Sequence, residues 1–121
     1  MPSLTKTIAD FLSGKPQHVI ELYDHFINSF TTIGLIKAEA TKTMIGISND
    51  HKRIAWVTQI GKSFIHIVFP FRQPYYDNLC FTKVGQIPGT QQFNHHFRML
   101  YTTDINEEVM HFMKLAYTME G

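Results

Sequence analysis

Disulfide partners and membrane spans are the first things this chain is without. Its 121 residues include one cysteine, Cys80, which excludes an intramolecular disulfide and fits a reducing compartment. No apolar run approaches the roughly 20 residues that carry a helix across a bilayer. Met1 to Ser13 also lacks the basic start and continuous apolar stretch of a signal peptide. Charge is scarce: Asp, Glu, Lys and Arg make up 17% of the residues and sum to +1, far from the basic balance of a dedicated nucleic-acid binder. Glycine-rich phosphate loops, Cys-x-x-Cys pairs and nucleophile elbows are missing as well, and no cofactor is implied. The expectation is a soluble, cytoplasmic chain that crosses no membrane. An apolar share of 44% is enough for one core, so residues 1–121 are expected to form a single domain burying roughly two-thirds of its surface.

What is present has clear periodicity. Leu4, Ile8, Phe11 and Leu12 recur at helical spacing, and Gly14 is placed to end that short helix in a left-handed cap. Pro16 suits the first turn of a second helix. There Val19, Leu22, Tyr23, Phe26, Ile27 and Phe30 form the strongest helical stripe of the chain, closed by Gly34. The polar side of that helix carries His18, Glu21 and His25, which a solvated face explains as well as a metal would, and no metal site is predicted. Leu35 to Ala40, Met44 to Ser48, Ile54 to Ile60 and Phe64 to Phe69 are rich in β-branched and aromatic residues. They are separated by short polar turns, which favours antiparallel hairpins. Pro70, Pro74 and Pro88 mark a long irregular connection over residues 70–92, interrupted by a short strand at Cys80 to Val84. Such a connection is either a lid or a packed surface loop whose tyrosines cover a sheet edge.

The last strand, Phe93 to Tyr101, alternates: Phe93, His95, Phe97, Met99 and Tyr101 point to the core, Asn94, His96, Arg98 and Leu100 away from it. Asp104, with Glu107 three residues on, reads as the capping box of a final helix, with Thr103 the alternative cap. Ile105, Val109, Phe112, Met113, Ala116 and Tyr117 form its stripe. The fold class is therefore α+β: two N-terminal helices, a curved, mostly antiparallel sheet of five or six strands, and one C-terminal helix.

Strand parity locates a candidate site. With Ile45, Ile47, Ile65, Ile67, Phe97 and Met99 turned to the helices, Lys42, Met44, His66, His96 and Arg98 fall on the opposite side. Either Trp56 or its neighbours Ala55 and Val57 join them. The middle of the chain supports an anionic partner: Lys37, Lys42, Lys52, Arg53, Lys62 and Arg72 against Glu39 and Asp50 give Leu35 to Arg72 a net +4. Catalysis finds little footing. Cys80 has no catalytic sequence around it, and a place in a strand core suits it. His95 and His96, adjacent on a strand, point to opposite faces and cannot share a metal.

Several short motifs carry a resemblance. Phe11-Leu12-Ser13-Gly14-Lys15-Pro16, Leu22-Tyr23, Thr41-Lys42-Thr43, Ile54-Ala55-Trp56-Val57, the histidine His96 (or His95) before the last helix, and Leu115-Ala116-Tyr117 resemble a bacterial domain of unknown function, family 5655. The resemblance spans nearly the whole chain. Members occur alone or as the last domain of larger proteins, some labelled predicted transport proteins, and no activity is implied. It carries over Lys42 and His96 as candidate site residues. Where the family tends to show an acidic pair before the last helix, Asp104-Ile105-Asn106 keeps one carboxylate, and the stretch after Phe69 is hard to align.

Three functional expectations follow. The first is a small non-enzymatic binding or interaction module, with a homodimer among its possible forms. The second is recognition of a nucleic acid or another anionic ligand through Lys42, His66, His96, Arg98 and Trp56. The third, an acid/base enzyme, requires Lys42 and His96 to lie within hydrogen-bond reach.

Overall fold

In α2 (Gln17–Thr31) the predicted stripe is buried at Val19, Leu22, Tyr23, Phe26 and Phe30 and half-buried at Ile27, and this fastens the helix to the sheet. The structure, a computed structural model, describes residues 7–118. Before α2 comes α1 (Ile8–Leu12); after it follow β1 (Lys37–Ala40), β2 (Ile45–Ser48), β3 (Arg53–Ile60), β4 (Ile65–Phe71), β5 (Lys83–Gln86) and β6 (Phe93–Met99). A 3-10 turn (Thr102–Asp104) leads into α3 (Glu107–Thr118). The strands form one antiparallel sheet in the order β1-β2-β3-β4-β6-β5. This is the α+β class read from the sequence.

The core lies between the helices and one face of the sheet. Ile45 and Ile47 of β2, Ile65, Ile67 and Phe69 of β4, and Phe97 and Met99 of β6 meet Phe26, Phe30, Phe112 and Met113 there. Full burial of such side chains stabilises by about 1.5–3 kcal/mol each. No helix among the described residues is long and apolar enough to cross a membrane.

Several local expectations are corrected. Thr7 and Asp10 form a capping box on α1, while Leu4 lies outside the described residues. Gly14 does take the left-handed conformation at φ +74°, one residue beyond the Ser13 cap. Pro16 is the N-cap of α2 rather than its first residue. Asp104 does not cap α3: its carboxylate accepts from the Leu100 and Tyr101 N–H groups at 2.8 and 2.9 Å. Asn106 caps instead, accepting from the Val109 N–H at 3.0 Å. β1 starts at Lys37, and β4 continues through Pro70 to Phe71. The short strand expected at Cys80 begins only at Lys83, which leaves Cys80 in a turn. Tyr101, assigned to the core side, stands beyond the strand end and is 63% exposed.

The connection after β4 is packed rather than open. Tyr75 and Phe81 turn inward against Phe71, Phe112 and His95. His95 is fully buried on the core side, as its parity predicts. Its Nε2 accepts the Tyr75 N–H at 3.0 Å and its Nδ1 donates to the Phe93 carbonyl at 2.8 Å. The two bonds require the neutral tautomer with the proton on Nδ1, and burial pushes its pKa down.

Candidate functional site

The face turned away from the helices is organised by one row of paired residues. Glu39, Gly46, Trp56, Val68, His96 and Lys83 lie opposite one another across all six strands. On one side of it sits the row Gln59, His66 and Arg98, and on the other Pro70, Asn94 and Gly85. The predicted residues Trp56, His66, His96 and Arg98 thus share this face, with Trp56 resolved in favour of the open side.

Two irregularities in β3 shape it. Ile47 pairs with Ala55 but Ser48 with Arg53, and Val57 pairs with Ile67 but Gln59 with His66. Ile54 and Thr58 are the extra residues of two β-bulges, which bend the strand and re-aim its side chains. Strict alternation would put Arg53 and Trp56 on opposite faces; the bulge at Ile54 puts them on the same one. The Arg53 guanidinium lies across Gly46, where any side chain would collide with it, and its Cζ is 4.4 Å from the centre of the Trp56 ring. That geometry is a cation–π stack.

Beside the stack lies a shallow depression of about 490 Å³. Met44, Trp56 and Val68 give it an apolar floor, and Thr41, Thr58, Asn94 and His96 place polar groups around it. His66 and His96 stand at its edge with Nε2 and Nδ1 2.8 Å apart. Burial, followed by the charges of His96 and Arg98, lowers the pKa of His66; burial, then Lys83, lowers that of His96. Near neutral pH one ring therefore donates to the other, and the pair keeps one further N–H and one bare nitrogen. Arg98 stacks on Phe64, its Cζ 4.5 Å from the ring centre. Among the strand positions of this face the only carboxylate is Glu39, which Lys37 already holds at 2.9 Å. The hydrogen bond and charge of Lys37 keep its pKa low, with Arg53 adding to the effect.

Lys42 is placed differently. It is exposed in the turn between β1 and β2, next to Thr41. Among the described residues no hydrogen bond or ion pair joins it to His96. Other candidate chemistry is also accounted for. Burial and the nearby Glu108 carboxylate push the Cys80 thiol up to about 12, so it stays protonated and unreactive. His18 bonds the Leu100 carbonyl at 2.8 Å, and no group of three metal-binding side chains exists among the described residues.

Sequence reasoning missed Arg53, Thr58, Val68, Asn94 and Lys83 as members of the site. The signal for Arg53 was the apolar pair Ile54-Ala55 ahead of Trp56, a break in alternation that marks a bulge.

A family model described as a domain of unknown function, DUF5655, matches residues 8–120. The chain belongs to this family. No curated protein and no solved structure matches the chain. The DUF5655 match runs through every element that builds the face, from α1 to α3.

Proposed function

We propose that this DUF5655 domain is a binding module, without chemistry of its own, that holds a single-stranded nucleic acid on its open sheet face. The observation that carries the reading is the row through Trp56: an apolar depression with an aromatic wall, with Arg53 stacked on that wall and Lys83 opposite His96 in the same row. Bases stack on aromatic side chains whatever their sequence, and basic side chains track the backbone. Thr58, Asn94 and His96 offer donors and acceptors to a base edge beside Trp56. A second copy of the chain would set two faces carrying Arg53, Lys83 and Arg98 against each other with Glu39 as the only strand carboxylate on each, so the charge of this face favours an anionic partner over a homodimer built on it. Acid/base catalysis through Lys42 and His96 gains no support, because nothing joins the two groups.

The test is titration with short single- and double-stranded oligonucleotides, followed by the fluorescence of Trp56 at two salt concentrations. Saturable binding of the single strand that weakens as salt rises is the expected result. Equal affinity at both salt concentrations, or no change with a folded protein, would move the weight to an uncharged or protein partner.

A further inference from the structure

At one end of the sheet a second cavity opens, and its chemistry differs from that of the depression beside Trp56. The β4–β6 ladder is paired as far as Phe71 with Phe93, whereas the β3–β4 ladder reaches only Trp56 with Val68. The bulge at Ile54 bends β3 away, and Pro70 has no N–H with which to bridge the gap. The resulting cleft of about 520 Å³ is lined by Lys52, Arg53 and Arg72, with Thr90, Gln91 and Gln92 on the hairpin between β5 and β6. Three cations and three neutral hydrogen-bonding residues meet there, and no carboxylate lines the cleft. Among the described residues none of the three cations is in an ion pair. The Arg53 Nη1, buried without a hydrogen-bond partner, lies over Gly46 beside the Trp56 ring, so it is the rest of that side chain that lines the cleft.

We propose that this cleft is a phosphate site, and specifically that it takes the phosphomonoester at the end of a strand whose neighbouring base lies against Trp56. Arg53 is the link, since its side chain lines the cleft while its guanidinium stacks on Trp56. A phosphomonoester carries up to two negative charges and three acceptor oxygens. That matches a planar guanidinium fork at Arg72, a compact ammonium at Lys52 and amide donors at Gln91 and Gln92. An internal phosphodiester has one charge and two free oxygens and leaves part of the set unused. The strand component rests on the function proposed above; the phosphate component stands on the cleft alone.

The experiment compares one oligonucleotide sequence bearing a 5′-phosphate, a 3′-phosphate or hydroxyls at both ends, with the wild-type chain and with Lys52→Ala/Arg72→Gln. Both replaced residues are exposed, so the double variant is expected to fold. One phosphorylated end should bind about tenfold more tightly than the hydroxyl-ended strand, a factor worth about 1.4 kcal/mol. In the variant the ratio of the two affinities should collapse towards one. Inorganic phosphate is titrated in parallel at constant ionic strength, following the amide resonances of Thr90, Gln91 and Gln92 by NMR. Saturable shifts in the wild type that disappear in the variant support the site even if no oligonucleotide binds, which would overturn the strand reading alone. Equal affinities for all three ends, together with no saturable response to inorganic phosphate, would overturn the phosphate site.

Discussion

Trp56 and the groups that fix it are where the face is most open to single substitutions. Trp56→Ala removes the stacking wall at a half-buried position, so the fold should survive. Oligonucleotide affinity should fall by about 1–3 kcal/mol, the range for one base–aromatic stack, as read by a label on the strand. Gly46→Ala approaches the same stack from beneath. The new methyl would displace the mobile end of Arg53 rather than backbone, shifting Trp56 emission while leaving the far-UV circular dichroism unchanged; an unaltered spectrum would show that the guanidinium does not rest there. The His66–His96 pair adds a pH term. Both pKa values are lowered from 6.5, so the rings are neutral near pH 7 and gain positive charge only on acidification through those lowered values. Strand affinity should therefore tighten below about pH 6.5, and His66→Gln/His96→Gln should remove the effect. That His66, His96 and Arg98 share a face was legible from alternation. Arg53 was not, because one bulged residue reverses the parity of everything before it.

Among the contacts that hold the connection between β4 and β5, one depends on an acceptor that acid removes. His95 accepts the Tyr75 N–H only while its Nε2 is bare, and its folded pKa lies below 6.5. A group depressed on folding binds fewer protons folded than unfolded. Its stabilisation is therefore complete above the unfolded value of about 6.5 and is lost as pH falls from there through the folded value. Urea unfolding at about pH 7.5 and about pH 5.5 should show a lower midpoint in acid. His95→Phe should cost about 1–3 kcal/mol at the higher pH by orphaning that N–H and should shrink the pH effect. At the start of α3 the cap gives a second check: Asn106→Ala should lose about 1 kcal/mol. The sequence points to Asp104 there, since an acid followed three residues later by Glu107 has the capping pattern. The 3-10 turn instead commits that carboxylate to Leu100 and Tyr101. A similar reason misplaces the short strand after Asn78. Cys80 and Phe81 look like strand residues, but Phe81 is drawn into the aromatic cluster and Asn78 is tied to Glu108 at 2.9 Å. Pairing with β6 is therefore delayed until Lys83.

For the molecule as a whole, the helical stripes and hairpin turns made the architecture legible, because a period of 3.6 or 2 survives small local errors. What the periods do not contain is strand order, and strand order builds the site. Only when β6 inserts between β4 and β5 do His96 and Lys83 join Trp56 in one row. The three α-helices among the described residues come from the two ends of the chain and pack on one face, so the other keeps Lys83 and Arg98 without an ion-pair partner among the described residues. That arrangement makes a quantitative demand on the proposed function. If Arg53, Lys83 and Arg98 each neutralise one phosphate, the logarithm of the binding constant should fall with the logarithm of salt at a slope of about −2, roughly a twentyfold loss for a fourfold rise in salt. Replacing Arg98, exposed at the face's edge, by Gln should flatten the slope by about 0.7 whatever the base sequence. A slope near zero would mean that the face holds its partner by apolar contact alone, with the cations serving solubility. For a strand with hydroxyls at both ends, a slope much steeper than about −2 would bring Lys42, Lys52 and Arg72 into the backbone path and extend the bound strand past the end of the sheet.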